Sequence, residues 1–183
     1  MQSTFIVHVE DQPGVLTRVT SLIRRRGFNI ESLTVGHTDR PGVSRMTVVM
    51  ESDERAVPRI EANLYKLVNV ISVENISPKP VVFRDLAMIK VAATEASRGP
   101  IMQLVDVFRA RVVDVSPESL IIEITGTEEK IIGFVEMLRP YGVLEMARTG
   151  RVAMSRGTGA ATQAERSSDG GTVEFDSGVS FSV

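Results

Sequence analysis

Two stretches of sequence, Glu10–Leu16 (EDQPGVL) and Gly27–Leu33 (GFNIESL), frame the first helix that the chain predicts. Pro13 stands where a helix begins, because its missing amide hydrogen costs nothing in the first turn. Gly27 stands where a helix ends, since glycine readily adopts the left-handed conformation found there. Between them, apolar residues recur at helical spacing: Val15, Leu16, Val19, Leu22 and Ile23. The two stretches therefore predict a strand, a helix and a second strand.

The flanking sequence extends this unit to the order βαββαβ. Apolar and polar residues alternate in Thr4–Val9, as in a strand with one buried face. Further strands are predicted at 29–35, 44–50 and 70–76, and Asp39–Gly42 has the composition of a hairpin turn. A second helix carries the apolar stripe Val57, Ile60, Leu64 and Leu67. This is the ferredoxin-like arrangement.

The same order is predicted a second time after Pro78-Lys79-Pro80. The predicted strands are 86–93, 112–115, 120–125 and 143–153, and the helical stripes are Ile101, Leu104, Val105 and Phe108, then Ile131, Phe134, Val135 and Leu138. The predicted fold class is α+β, with ferredoxin-like domains at residues 1–78 and 85–157 and a linker at 79–84. Because each small domain buries only one face of its sheet, pairing of domains or chains is expected to complete the core.

Residues 158–183 predict a flexible, low-complexity tail, because Gly, Ser, Thr, Ala and Asp dominate their first half. The end of this tail, Thr172–Val183, also has the alternation of a small hairpin. An isolated two-stranded hairpin is marginally stable in water, so the tail interpretation is favoured.

Composition limits the classes of function. The chain has 183 residues, of which 43% are hydrophobic and 5% aromatic, which suits aliphatic cores. Its 21 Lys and Arg nearly balance 23 Asp and Glu, and this argues against nucleic acid as a partner, since phosphate binding needs clustered positive charge. The absence of Cys excludes disulfides and thiolate chemistry. Without a signal peptide or a long apolar stretch, a cytoplasmic protein that does not contact the membrane is expected.

Few side chains of this sequence could act in catalysis or bind nucleic acid. His8 lies in a predicted strand and His37 lies just after one, and neither has a converging acid–base partner, so a structural or surface role is favoured over catalysis or metal binding. Arg24–Arg26 ends the first helix, where cations complement the helix dipole, and a solvated face is favoured over a nucleic-acid patch. RNA-recognition modules of this fold stack bases on aromatic side chains in their central strands, and here those strands hold only Phe5.

The loop before the first helix has a stronger case as a binding site. Helix N-termini present free amide hydrogens and a partial positive charge, so the amides of Gly14, Val15 and Leu16 could receive a carboxylate. Asp11 could then hold an ammonium group, and Asn29 can donate and accept hydrogen bonds. The alternative is that Asp11, Gln12 and Pro13 merely start a helix, while Asn29 begins a strand.

Several segments together resemble the small regulatory subunit of acetohydroxyacid (acetolactate) synthase. They are Asp11–Leu16 (DQPGVL), Arg25–Gly36 (RRGFNIESLTVG), Ser44–Thr47 (SRMT), Lys66–Val70 (KLVNV), Phe108–Pro117 (FRARVVDVSP), Thr149–Gly150 and Ser155–Gly157. The resemblance extends from Thr4 to Gly157. It implies an N-terminal ACT domain, which is an amino-acid-sensing variant of the ferredoxin-like fold, and a second domain of similar topology.

The resemblance also implies a function. In ACT dimers the effector lies between subunits, which places one set of contacts on Asp11, Gln12, Pro13, Gly14, Val15 and Leu16 of one chain and the other on Asn29 and Ile30 of its partner. The family's effectors are branched-chain amino acids, usually valine, and an aliphatic wall near Val15, Leu16 and Ile30 would suit such a side chain. Family members carry Asn or Asp at the position of Asp11.

Catalysis in this family belongs to a separate subunit that condenses pyruvate with pyruvate or 2-oxobutyrate. Thiamine diphosphate, magnesium and FAD are expected there, and no cofactor is expected in this chain. The resemblance thus implies a non-catalytic subunit that forms homodimers, activates the catalytic subunit and confers feedback inhibition. The alternatives are an ACT-type sensor of another metabolic enzyme and an RNA-binding ferredoxin-like protein.

Overall fold

The computed structural model describes residues 2–53 and 55–157, which form two antiparallel sheets, each packed against two helices. The predicted α+β class with two ferredoxin-like units is confirmed. The tail predicted at 158–183 and the hairpin considered at 172–183 lie outside the described residues. No helix within the described ranges is long and apolar enough to cross a membrane.

The first unit follows the predicted order. Its elements are β1 (Gln2–Glu10), α1 (Val15–Arg25), β2 (Ile30–His37), β3 (Val43–Glu51), α2 (Val57–Leu64) and β4 (Val70–Asn75), with the strands in the order β2-β3-β1-β4. Helix α1 ends as predicted, because Gly27 has a φ of +76° and the amide of Phe28 closes the last turn on the carbonyl of Ile23 at 3.3 Å.

The second unit repeats this topology. Its elements are β5 (Val81–Ala92), α3 (Glu95–Val107), β6 (Arg111–Val115), β7 (Ser119–Gly126), α4 (Glu128–Leu138), a 3-10 turn (Arg139–Tyr141), β8 (Val143–Arg148) and β9 (Val152–Ser155), with the order β6-β7-β5-β8. Both helices begin at a threonine, since Thr94 accepts a hydrogen bond from the amide of Ser97 and Thr127 from that of Lys130.

Two predictions about the second unit are wrong, for one reason. Residues 81–84, predicted as part of a linker, are the first third of β5, and the single strand predicted at 143–153 is two strands. Strand β8 pairs with Ala87–Val91 of β5, and β9 pairs with Val81–Arg84 of the same strand. The break at 149–151 lies between these two paired segments. The wider division into domains at 1–78 and 85–157 stays a prediction.

Each unit has its own apolar core between sheet and helices. In the first, Phe5, Val7 and Val9 from β1 pack with Val19 and Ile23 from α1. The predicted alternation of β1 is thus correct for this face. In the second, Ile89, Ile122 and Phe134 belong to a cluster built in the same way. Both cores are aliphatic, as the composition indicates.

The opposite face of the first sheet is covered by a two-stranded ribbon, formed by Val81–Arg84 and Val152–Ser155 and called here the β5–β9 ribbon. Ile6 of β1 packs there in a third apolar cluster with Ile76 and Ala153, and Val81 and Phe83 lie against it. Because β5 continues from this ribbon into the second sheet, the ribbon physically joins the two units.

A polar cluster closes one side of this junction. Arg148 of β8 donates hydrogen bonds to the buried carboxylate of Asp85 and to Glu128 at the start of α4, the latter at 3.3 Å. The hydrogen bond to Asp85 is the main cause that raises the pKa of Arg148. Arg151 donates to the second oxygen of Glu128 at 3.2 Å, and its guanidinium carbon lies 5.0 Å from the ring centre of Phe83. These contacts stabilise the chain where β8 leads into the ribbon.

Candidate functional site

The loop between β1 and α1 ends in a conformation that favours glycine. Gly14 is the N-cap of α1 and has a φ of +85°, in the left-handed region that L-residues avoid. No side chain caps this helix, and its first turn contains no acidic residue. Because residues 11–14 are exposed, the positive end of the helix dipole faces solvent beside an accessible backbone. This end of α1 can therefore receive an anion such as a carboxylate.

Asp11 is held in place by the β2–β3 hairpin. Its amide donates to the carbonyl of Gly42 at 2.8 Å, and its Oδ1 accepts a hydrogen bond from Ser44 Oγ at 3.1 Å. His37 Nδ1 lies 3.3 Å from Asp11 Oδ2. The Asp11 side chain keeps 44% of its surface exposed. The carboxylate is thus oriented and still accessible to an ammonium group.

A second hydrogen-bond network fixes the start of the same loop. Asn69, which is largely buried before β4, donates through Nδ2 to Glu10 Oε2 at 2.7 Å. Its Oδ1 accepts from Arg18 Nη1 at 2.6 Å, and its backbone carbonyl accepts from the amide of Glu10 at 2.9 Å. One amide side chain therefore joins the end of β1 to the first turns of α1.

The aliphatic residues of the predicted site differ in their availability. Val15 is only 3% exposed and belongs to the core beneath α1, so its side chain does not contribute to a ligand wall in this chain. Its amide lies within the loop and donates to the carbonyl of Gln12 at 3.3 Å. Leu16 is 42% exposed on the solvent side of the helix, and Ile30 is partly buried against the core. Leu16 is therefore the predicted aliphatic contact with the most accessible side chain.

Asn29 lies at the opposite end of α1 from Gly14. It lines a surface depression of about 730 Å³ together with Arg26, Glu51 and Arg59, and a neighbouring one of about 490 Å³ beside Ile30. Helix α1 has eleven residues, so its ends are about 16 Å apart at 1.5 Å per residue. One chain does not bring Asp11–Leu16 and Asn29 together around a small ligand.

The sequence analysis did not connect His37 and Ser44 with the loop at Asp11. They are directly paired across the β2–β3 hairpin, and both contact Asp11. The predicted turn at 39–42 contained the signal, because a hairpin centred there places positions 37 and 44 opposite each other. Asn69 is different, since its contacts with Glu10 and Arg18 span 59 and 51 residues of sequence and leave no local pattern.

The described residues offer little support for catalysis or for base stacking. Within residues 2–53 and 55–157, no group of three or more His, Asp or Glu is arranged to hold a metal ion. His8 Nδ1 lies 2.9 Å from Ser72 Oγ, in a contact between neighbouring strands. Phe5, the single aromatic residue of β1 and β3, has no exposed surface and faces the helices. The two central strands therefore present no exposed aromatic platform.

Comparison with known proteins assigns the family. Residues 5–72 match the model of the AHAS small subunit-like ACT domain, and residues 84–157 match the model of the small subunit of acetolactate synthase. The chain belongs to the acetolactate synthase small-subunit family. Its predicted membership, and with it the prediction of a non-catalytic regulatory subunit, is confirmed.

Individual members of this family are similar over nearly their whole length. The probable acetolactate synthase small subunit of Archaeoglobus fulgidus is 52% identical over 157 residues, which are 86% of this chain and 98% of that protein. The acetolactate synthase small subunit of Mycolicibacterium smegmatis is 50% identical over 84% of this chain and 91% of its own length. The crystal structure of the small subunit from Thermotoga maritima superposes with a TM-score of 0.81 at 40% identity, covering 86% of this chain and 99% of that one.

Proposed function

We propose that this small subunit binds a branched-chain amino acid, with valine as the first candidate, between the ACT domains of a homodimer. Docked on the catalytic subunit of acetolactate synthase, it raises catalytic activity, and the bound amino acid then inhibits that activity. By this proposal the thiamine diphosphate, magnesium and FAD all belong to the catalytic subunit. Feedback of this kind requires only that the effector bind one arrangement of the dimer better than another.

The observation that carries the proposal is the pair of complementary charges at the β1–α1 loop. The uncapped N-terminus of α1 offers a site for a carboxylate at Gly14, and Asp11 offers one for an ammonium group a few residues away. An α-amino acid carries these two groups on one carbon. The exposed side chain of Leu16 next to them suits an aliphatic ligand rather than a polar one.

The membership of the family narrows the ligand and the partner. The matched relatives are named as small subunits of acetolactate synthase, which supports a catalytic subunit as the partner. The branched-chain amino acids descend from the product of such an enzyme, so each is a chemically reasonable feedback signal. Among them, valine is the smallest and needs the least space at an interface.

The test is calorimetry of the isolated protein with L-valine, L-leucine and L-isoleucine, at a protein concentration where sedimentation shows a dimer. Saturable binding of at least one of them, with valine inhibition of the reconstituted enzyme, is the expected result. Absence of heat with all three at dimeric concentrations would refute the proposal. D-valine is the matched control, because it has the same charges and side chain but cannot place all three groups at once.

A further inference from the structure

Two neighbouring residues of β3 make contacts on opposite faces of the first sheet. Side chains alternate along a strand, so Ser44 and Arg45 necessarily point to different sides. Ser44 donates its hydrogen bond to Asp11 at 3.1 Å, in the β1–α1 loop that is proposed to bind the effector and is called here the effector loop. Arg45 crosses the other face and donates through Nη2 to the backbone carbonyl of Ala153, at 2.5 Å. One dipeptide thus contacts both the effector loop and the β5–β9 ribbon.

Arg45 occupies an environment that restricts its side chain. It is only partly exposed, with His8 and Gly36 as its neighbours on the adjacent strands. Burial lowers the pKa of Arg45, and the nearby carboxylate of Glu74 raises it in part. The guanidinium stays protonated in proteins, so it must satisfy its donors locally. The carbonyl of Ala153 is the partner that does this across the domain junction.

A second set of contacts holds the chain that enters the ribbon close to β2. Gly150, which leads into β9, lies so close to β2 that a Cβ there would be 2.5 Å from Thr34 Oγ1 and 2.8 Å from the carbonyl oxygen of Leu33. The amide of Arg151 donates to Ser32 Oγ at 2.7 Å. The chain that enters the ribbon therefore rests on β2 through its own backbone groups, which tolerate little displacement.

The ribbon leads directly into the centre of the second sheet. Val81–Arg84 pair with β9, and the remaining residues of the same strand pair with β7 and β8. A hydrogen-bonded strand transmits a displacement along its length better than a loop does, because its ladder resists deformation. A shift of the ribbon on the first sheet would therefore reach the second domain.

From these contacts we infer that Ser44-Arg45 is the positioning unit that couples the effector loop to the C-terminal domain. An ammonium group bound by Asp11 changes the hold of Ser44 on that carboxylate, and β3 conveys the change to Arg45 and the ribbon. The inference rests on the proposed function, since it needs an effector at the loop. It assigns to Arg45 a role that requires no contact with the ligand.

The test compares the wild type with Arg45→Met, which keeps the length and apolar stem of the side chain and removes its donors. Arg111→Met is the matched control, because Arg111 also lies on a strand, the edge strand β6 of the second sheet, where its exposed side chain pairs with Glu123. Three quantities are measured with L-valine: its affinity for the isolated subunit, hydrogen exchange of the amides in Val152–Ser155, and inhibition of the reconstituted enzyme.

In the wild type and in Arg111→Met, valine is expected to change exchange in Val152–Ser155 and to inhibit the enzyme. In Arg45→Met the affinity of the isolated subunit for L-valine is expected to stay within about twofold, while the exchange response and the inhibition are lost. Allosteric coupling typically changes an affinity by about fivefold or more, so a twofold change in affinity is too small to account for the loss. If Arg45→Met does not fold, Arg45→Leu replaces it, because it also lacks donors, and loss of coupling supports the inference by the same criteria.

Wild-type coupling in whichever Arg45 variant folds would overturn the inference and leave the proposed function intact. A wild-type protein that binds none of the three branched-chain amino acids would instead refute the proposed function. The two failures are therefore distinguishable in one set of measurements.

Discussion

Gly14 shows how one residue can serve both backbone geometry and binding. Its φ of +85° lets the chain turn into α1, and the missing side chain leaves the helix N-terminus open. A Cβ built there meets no atom within 4 Å, so substitution at this position is limited by backbone strain and not by collision. The position can therefore be changed without disturbing the core.

At this scale we predict that Gly14→Asp relieves feedback inhibition. The new carboxylate would lie near the bound carboxylate of the effector, and two such charges about 4 Å apart repel by about 4 kcal/mol at an effective dielectric constant near 20. The valine concentration for half-maximal inhibition should rise by about tenfold or more, while activation of the catalytic subunit persists. Inhibition curves of the reconstituted enzyme measure both effects.

Gly14→Asn is the matched control for that substitution. Asn has almost the same shape as Asp and tolerates the left-handed region, but it carries no charge. It should weaken valine inhibition much less than Gly14→Asp does. Equal weakening by the two variants would show that charge plays no part, and the carboxylate would then have to bind elsewhere.

At the scale of elements, the β5–β9 ribbon replaces the linker that the sequence predicts. Its apolar side covers Ile6 and Ile76, neither of which has more than 2% of its surface exposed. The chain that leads into the ribbon approaches β2 closely at Gly150. Contacts of the ribbon therefore contribute to the stability of both domains.

Gly150→Ala tests the close approach of the ribbon. A methyl group at this position would be 2.8 Å from a backbone oxygen of β2, and overpacking of this kind typically costs about 1–3 kcal/mol. The free energy of unfolding, measured in urea, should fall by that amount. Gly36→Ala, in the strand β2 that Gly150 approaches, is the control. A Cβ at Gly36 meets nothing within 4 Å, so little change in stability is expected. Equal stability of the two variants would argue against a tight junction.

Two truncations test the ribbon as a whole. A chain ending at Arg151 loses β9 and uncovers Ile6 and Ile76, and full burial of such a side chain contributes roughly 1.5–3 kcal/mol. Its free energy of unfolding should fall by about 3 kcal/mol or more. A chain ending at Gly157 keeps both strands of the ribbon and both apolar cores, and it should unfold at the wild-type urea concentration. If the two truncated chains were equally stable, the ribbon would contribute nothing to the fold.

At the scale of the whole molecule, the proposed effector site requires two chains. Gly14 and Asn29 lie at opposite ends of α1, about 16 Å apart by its length, and the groups of one amino acid lie much closer together. Only a second copy can bring an Asn29 to the β1–α1 loop of the first. Effector binding and assembly are then a single linked equilibrium.

We therefore predict that L-valine shifts the protein toward the dimer. A ligand that binds the dimer and not the monomer stabilises the dimer by mass action, so the dimer dissociation constant should fall as valine is added. Sedimentation equilibrium over a dilution series with and without valine measures the shift, and Gly14→Asp should abolish it. An unchanged dissociation constant, together with calorimetric binding, would place the ligand within one chain.

Much of this architecture is readable from local patterns. The stripe from Val15 to Ile23 and the stop at Gly27 predict α1 correctly, because a helix needs only neighbours three and four residues away to define its buried face. The resemblance to the family also depends on local strings. Residues 81–84 were predicted wrongly since Pro78 and Pro80 indicate a break, and nothing nearby reveals that the strand begins directly after it.

The sequence by itself determined the two βαββαβ units, the family and the turn that precedes α1, because periodicity, turn residues and motif strings are all local features. Only the tertiary structure decided that Val15 is core while Leu16 is exposed, and that Ser44 and His37 hold Asp11. It also decided the domain junction, where Arg45 meets Ala153 across 108 residues and Arg151 meets Ser32 across 119. Contacts of that separation arise when two sheets pack together, and packing depends on the shape of the whole chain.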